Sequence, residues 1–149
     1  MPISECCNIG VVCCDTEDSV ATVSALMRKH HVGDVIVVDG KNDNRVPVGI
    51  ITDRDIVIET LALDIDAKLF TAGDLMTSPV VTVKESSGFI ETLRLMRSHQ
   101  VRRMPVVTRD GAIFGIVAAD DIVRLLAMEL SMITDAIAEQ TVKEGHLRK

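Results

Sequence analysis

The sequence predicts an α/β fold made of two β-α-β-β-α repeats followed by a helical extension. Three observations lead there. MRKHHVGDVIVV (residues 27–38) returns as MRSHQVRRMPVV (residues 96–107), an offset of 69. GIITDRDIV (residues 49–57) returns as GIVAADDIV (residues 115–123), an offset of 66, with five of nine positions identical. Finally, apolar residues make up 47% of the chain and aromatic residues only 2%, with no Trp or Tyr, so the core is aliphatic. A repeat in register outranks any local signal, because it fixes the architecture before single elements are read.

Each unit opens with a β-prone run, at residues 10–14 and 80–83. A helix follows, with Val20, Val23, Leu26 and Met27 in one copy and Phe89, Leu93 and Met96 in the other at helical spacing. Asp18 and Ser87 are the expected N-caps. Two further strands are expected at 35–38 and 48–52, matched by 104–107 and 113–118. The three-residue difference in offset falls in the turn between them: Asp39-Gly40-Lys41-Asn42-Asp43-Asn44 in the first copy, a tight Asp110-Gly111 in the second. A second helix starts near Asp53 and near Ala119. Residues 64–78 join the units, and Pro79 ends the joining segment. The chain thus divides at 1–70, 71–127 and 128–149. In the last part, Leu125, Leu126, Leu130, Ile133 and Ile137 continue a helical stripe, before a polar KEGHLRK tail expected to fray. A stripe longer than one unit can cover predicts a homodimer.

A net charge of −6, a pI near 5.1 and the lack of aromatic stacking residues argue against nucleic acid as a partner. No apolar run reaches the roughly 18–20 residues that span a bilayer, and the N-terminus lacks a signal-like pattern, so a cytoplasmic protein with no membrane partner is expected. The adjacent pairs Cys6-Cys7 and Cys13-Cys14 do not match zinc spacings and read as small apolar residues, with a redox or metal role as the alternative. A metal at His30, His31 and Asp34 is disfavoured, because the two adjacent His side chains diverge at a helix end. No phosphate-binding Gly-rich loop, H-E-x-x-H or G-x-S-x-G occurs, so neither catalysis nor a resident cofactor is expected.

The doubled G-h-h-(S/T)-x-x-D-h signature, the Met104-Pro105-Val106-Val107 strand and the joining phrase GDLMTSPVVTV resemble the cystathionine-β-synthase-like (CBS) domain, over residues 8–127. The resemblance implies a pair of domains related by a pseudo-two-fold axis, a Bateman module, with two related clefts. It implies adenosine-containing ligands (AMP, ADP or ATP, with S-adenosylmethionine or NAD as further choices), a disc-like dimer, and regulation of a partner protein that the sequence does not identify.

The residues agree with that chemistry. A strand running into a helix presents backbone N–H groups and partial positive charge suited to phosphate. Thr52 offers a hydroxyl there, Arg54 a guanidinium fork, and Asp55 a carboxylate able to accept from both hydroxyls of a ribose. The resemblance assigns the same roles: Asp55 to ribose, Thr52 to phosphate, Arg54 to phosphate or its surroundings. The alternative is a helix start capped by Thr52 or Asp53 with a surface Asp-Arg pair. The second copy keeps Asp121 but has Ala118 and Asp120 in place of Thr52 and Arg54. Two like charges ~4 Å apart repel by ~1 kcal/mol in water and ~4 kcal/mol at an effective dielectric of about 20. The first cleft is therefore expected to prefer a phosphorylated nucleotide, and the second to be empty, weak or nucleoside-like.

Arg102 and Arg103 either join Thr52, Arg54 and Asp55 around one ligand or form a solvated basic patch with Arg94, Arg97 and His99. Aliphatic walls for adenine are expected from Val11, Val12, Val32, Val35 and Ile36 in the first cleft. Val80, Val81, Val101 and Met104, with Pro105 beside it, are the candidates for the second. The expected function is a ligand-sensing regulatory module; the alternative is a structural, oligomer-forming module with vacant clefts.

Overall fold

The computed structural model describes residues 1–40 and 45–147. Its elements are β1 (Cys13–Asp15), α1 (Val20–His30), β2 (Asp34–Val38), β3 (Pro47–Thr52), α2 (Asp53–Glu59), α3 (Ala72–Leu75), β4 (Val83–Lys84), α4 (Phe89–His99), β5 (Arg103–Val107), β6 (Ile113–Ala118) and α5 (Ala119–Leu147). Short 3-10 turns occupy Ile3–Glu5 and Leu61–Leu63. The two repeats form two three-stranded sheets of identical layout. In each, the first strand runs parallel to the second, and the second pairs antiparallel with the third. Both antiparallel ladders shift register at the same repeat position, between Val37 and Val38 and between Val106 and Val107. Much of the expected first-copy loop, residues 41–44, lies outside the described residues.

Several boundaries differ from expectation for local reasons. β1 and β4 are shorter than 10–14 and 80–83, because the ladders start only at Cys13 and Val83. The caps sit one residue later than expected. Ser19 caps α1, its side chain accepting from the Thr22 amide, while Asp18 turns its carboxylate to the Asp15 amide. Gly88 precedes α4 with no side-chain cap, and the Ser87 carbonyl accepts from the Ile3 amide. The polar tail does not fray at residue 143: α5 is helical through Leu147, a 29-residue rod of roughly 44 Å at 1.5 Å per residue.

Each sheet packs its helices over one aliphatic core. Val23, Met27, Val35, Val37 and Ile51 build the first; Met96, Met104, Val106, Val117 and Ile122 build the second. Side chains alternate across a strand, yet Val35, Ile36 and Val37 are all fully buried, so β2 is covered on both faces.

The cores are not closed by their own stretches of chain. Ile3 completes the second core, and Ala72, 69 residues later, completes the first. Asn8 bridges to Ile116 of β6, and Thr77 bridges to Ile50 of β3. The repeat thus begins at residue 3 rather than 8. The sequence division at residue 70 cuts the chain, while the segment before each repeat packs on the other.

These crossings need bare backbone beneath them. A Cβ on Gly49 would lie 2.8 Å from Met76 Cβ and closer still to its sulfur; one on Gly115 would lie 2.8 Å from the Asn8 carbonyl oxygen and 2.9 Å from Cys7 Sγ. Gly115→Ala is therefore expected to destabilise the fold by about 1–3 kcal/mol, the usual cost of overpacking, read as a lower urea midpoint. Gly145→Ala, whose Cβ meets open space on α5, is the control and leaves that midpoint undiminished.

Candidate functional site

The Thr52–Asp55 turn is a capping box. The Asp55 amide donates to Thr52 Oγ1 (3.2 Å), and the Thr52 amide donates to Asp55 Oδ2 (2.9 Å). The Asp53 amide donates to the Gly33 carbonyl (3.0 Å) and the Arg54 amide to Asp53 Oδ1 (2.8 Å). The backbone donors expected to meet a phosphate are thus already satisfied within the protein. What the turn still presents is side-chain chemistry: the Thr52 hydroxyl hydrogen, the second oxygen of Asp55, and the exposed Arg54 guanidinium.

These groups line a cavity of about 500 Å3 between the two halves. Thr52, Asp53, Arg54 and Asp55 form one wall; Gln100, Val101, Arg102 and Arg103 from the α4–β5 turn form the other, with Asp120, Ile50 and Thr77 completing it. That volume lies within the range of small-molecule sites, about 300–1,000 Å3. A second cavity of about 250 Å3 is its repeat-related counterpart. It is lined by Asp121, Ala118 and Arg124 from the second half, by His31, Val32, Gly33 and Asp34 from the α1–β2 turn, and by Val11, Val12 and Asn8.

The halves contribute crosswise, which reassigns several expected residues. Val12 and Val32, expected beside Thr52, line the cavity of Asp121. Val101, expected in the second cleft, lines the first, where Arg102 and Arg103 do join Thr52, Arg54 and Asp55. Val35, Ile36, Met104 and Pro105 are buried within the sheets and line neither cavity; Val81 packs against the second core. Ile50, Thr77 and Gln100 in the first cavity, and Asn8, Asp34 and Arg124 in the second, were not anticipated. Thr77 and Asn8 hold the same repeat position, a signal the sequence carried once the repeat is extended back to residue 3.

Among the described residues, three ion pairs organise the charge around the cavities. Arg103 Nη1 lies 2.7 Å from Asp34 Oδ2, joining the halves. Arg102 meets Asp120 at 3.0 Å, and Arg124 lies 4.0 Å from Asp121. Asp120 therefore does not stand as a lone negative charge in the second cavity; it borders both and is held by Arg102. The first cavity sets Arg54, Arg102 and Arg103 against Asp53, Asp55 and Asp120, an even balance. The second sets Arg103 and Arg124 against Asp34, Asp120 and Asp121, one negative charge in excess.

Burial pushes the Asp34 carboxyl up from its ordinary value; Arg103 opposes the rise, and Asp53 and Asp121 reinforce it. Its contribution to stability is therefore present at low pH and lost as pH rises through the raised folded-state value. Asp74 is the opposite case. Its carboxylate accepts from the Thr71 amide, which holds its pKa down, so its contribution is present above the ordinary carboxylate value and lost as pH falls through the lowered one.

All four cysteines are free thiols. Burial raises each of them, Cys14 to about 12. Among the described residues no group of His, Cys, Asp and Glu is placed to hold a metal ion, and no helix is long and apolar enough to cross a membrane.

The repeat architecture matches a known family. The CBS domain model matches residues 3–61 and 72–128, and the chain belongs to the CBS domain family as a tandem pair. Hypoxic response protein 1 of Mycobacterium tuberculosis is 36% identical over 119 residues, covering 80% of each chain. The chain spans 61% of the length of an uncharacterized Methanopyrus kandleri relative, at 32% identity. The crystal structure of Hypoxic Response Protein I with two coordinated zinc ions superposes with a TM-score of 0.71 at 33% identity, covering 83% of this chain and 98% of that one. The CBS domain pair of protein MJ0100, in complex with 5′-methylthioadenosine and S-adenosyl-L-methionine, gives a TM-score of 0.72 at 25% identity, covering 85% and 99%.

Because the thiolate is the reactive form, Cys14 is expected to be the slowest of the four cysteines to react with iodoacetamide at neutral pH. Its rate should keep rising as pH climbs toward 12. Peptide-resolved mass spectrometry of a timed labelling series checks the order.

Proposed function

We propose that this CBS pair is a regulatory, non-catalytic module that binds an adenine nucleotide (AMP, ADP or ATP) in the larger cavity. One observation carries the reading: Thr52, Arg54 and Asp55 of the first half and Arg102 and Arg103 of the second line one cavity of about 500 Å3. A guanidinium fork suits a phosphate, and a carboxylate suits a pair of ribose hydroxyls. With the α2 amides occupied, phosphate recognition falls to the Arg54, Arg102 and Arg103 side chains. Val101 and Ile50 supply apolar surface for a base. The adenosyl ligands of the MJ0100 pair support adenosine as the common part of the ligand.

A ligand held by both halves favours one relative placement of them, and a partner protein reading that placement receives the signal. The shift is limited to the ligand's difference in affinity between the two arrangements. The smaller, net-negative second cavity suits a nucleoside or an adenosyl ligand without phosphate charge.

Homodimer formation is part of the same reading. The described residues of α5 from Leu126 onward are all exposed, with Leu130, Ile133 and Ile137 each 59–66% accessible along one stripe. Val57 and Val123, at equivalent repeat positions on α2 and α5, are exposed as well. A second copy of the chain would cover these faces.

Asp55→Ala is expected to weaken AMP binding roughly 10- to 150-fold, the worth of hydrogen bonds to a charged group, measured by calorimetry. The same change breaks the capping box and lowers the melting temperature on its own account. Unchanged affinity in a folded Asp55→Ala protein would overturn the nucleotide reading. Sedimentation of the full chain and of a chain ending at Leu126 tests the dimer: the full chain should sediment as a dimer and the shortened chain as a monomer.

A further inference from the structure

Residues 34 and 103 are one and the same position of the repeat, 69 residues apart. Identical copies would set two like side chains against each other across the pseudo-two-fold. This chain instead sets a carboxylate against a guanidinium at 2.7 Å. The pair stands in the wall between the cavities: Arg103 lines both, and Asp34 lines the second. Arg54 and Arg102 serve only the first cavity and Arg124 only the second, so among the described residues Arg103 is the cation the two have in common.

We propose that Arg103 couples the two cavities, so that a phosphorylated nucleoside in the first weakens an anionic ligand in the second. The proposal rests on the nucleotide reading above. A phosphate monoester carries about −1.5 to −2 charges near neutral pH, more than the single charge of Asp34, and it draws the guanidinium toward the first cavity. Asp34 then stands with Asp120 and Asp121 against Arg124 alone. An anion entering the second cavity meets that excess of carboxylate, whereas an uncharged nucleoside does not. Binding free energies are reciprocal, so an anion forced into the second cavity weakens the first by the same factor.

Methyl NMR of the full-length chain separates the cavities, with Thr52 reporting on the first and Val12 and Val32 on the second. AMP is expected to shift Thr52 first, and to shift Val12 and Val32 only at concentrations about tenfold higher or more. Adenosine should show a clearly smaller gap between the two sets. Asp34→Asn frees Arg103 and removes a carboxylate, so it should narrow the AMP gap roughly two- to fivefold. Equal gaps for AMP and adenosine in the unmodified chain overturn the coupling while leaving nucleotide binding intact. If Asp34→Asn does not fold, that comparison in the unmodified chain decides. Should AMP move neither set, the nucleotide reading falls and the coupling with it.

Discussion

The packing of Met76 over Gly49, and of Cys7 and Asn8 over Gly115, is the constraint on which the rest of the structure depends. Each glycine sits in the third strand of its sheet, under a segment that belongs, in chain order, to the opposite side of the duplication. That segment delivers a core residue, Ala72 in one half and Ile3 in the other, and bridges the strand beside the glycine. Neither core is complete without it. The halves are therefore tied by exchanged pieces of core, a stronger bond than surface contact because it removes apolar area from water on both sides. Their relative placement, and so the shape of both cavities, follows from this exchange.

The same exchange explains why the cavities are lined crosswise. The α4–β5 turn faces the end of β3, and the α1–β2 turn faces the end of β6. Within each half, by contrast, the backbone repeats one bond: the Asp53 amide donates to the Gly33 carbonyl and the Ala119 amide to the Arg102 carbonyl. These bonds hold each strand-to-helix turn against the helix-to-strand turn of its own half. A side chain on the far side of such a turn is left pointing across the pseudo-axis, as the Arg103–Asp34 pair shows.

Much of this was legible in the sequence, because a duplication read at two offsets is independent of local propensity. The strands at 113–118 and the start of α2 at Asp53 followed from it directly. The Thr52, Arg54 and Asp55 cluster was visible as well, since three neighbours at one turn need no tertiary information to come together. What was not legible depended on contacts distant in sequence. Val12 and Val32 were assigned to the wrong cavity because reading along the chain keeps them with Thr52, whereas the paired halves turn them toward Asp121. Ile3 was left outside the resemblance, which was drawn over residues 8–127, because its partners lie about a hundred residues away. The α1 cap slipped by one residue because Asp18 and Ser19 are both good acceptors, and the Asp15 amide claims the first of them.

The capping box at Thr52 changes what recognition at this turn can mean. A strand-to-helix turn usually offers an anion its amides, which are fixed, unscreened and nearly indifferent to the anion's shape. Here those amides are spent on Gly33, Asp53 and Thr52. Binding an anion then falls to Arg54, Arg102 and Arg103, and two of these three already hold a carboxylate partner. A ligand must displace Asp120 or Asp34 to engage them fully. For the proposed nucleotide, affinity would therefore be set by an exchange of ion pairs rather than by a preformed cradle. Because one of those pairs bridges the halves, a ligand that broke it would also loosen a link between them, and this is the route that the proposed signalling requires.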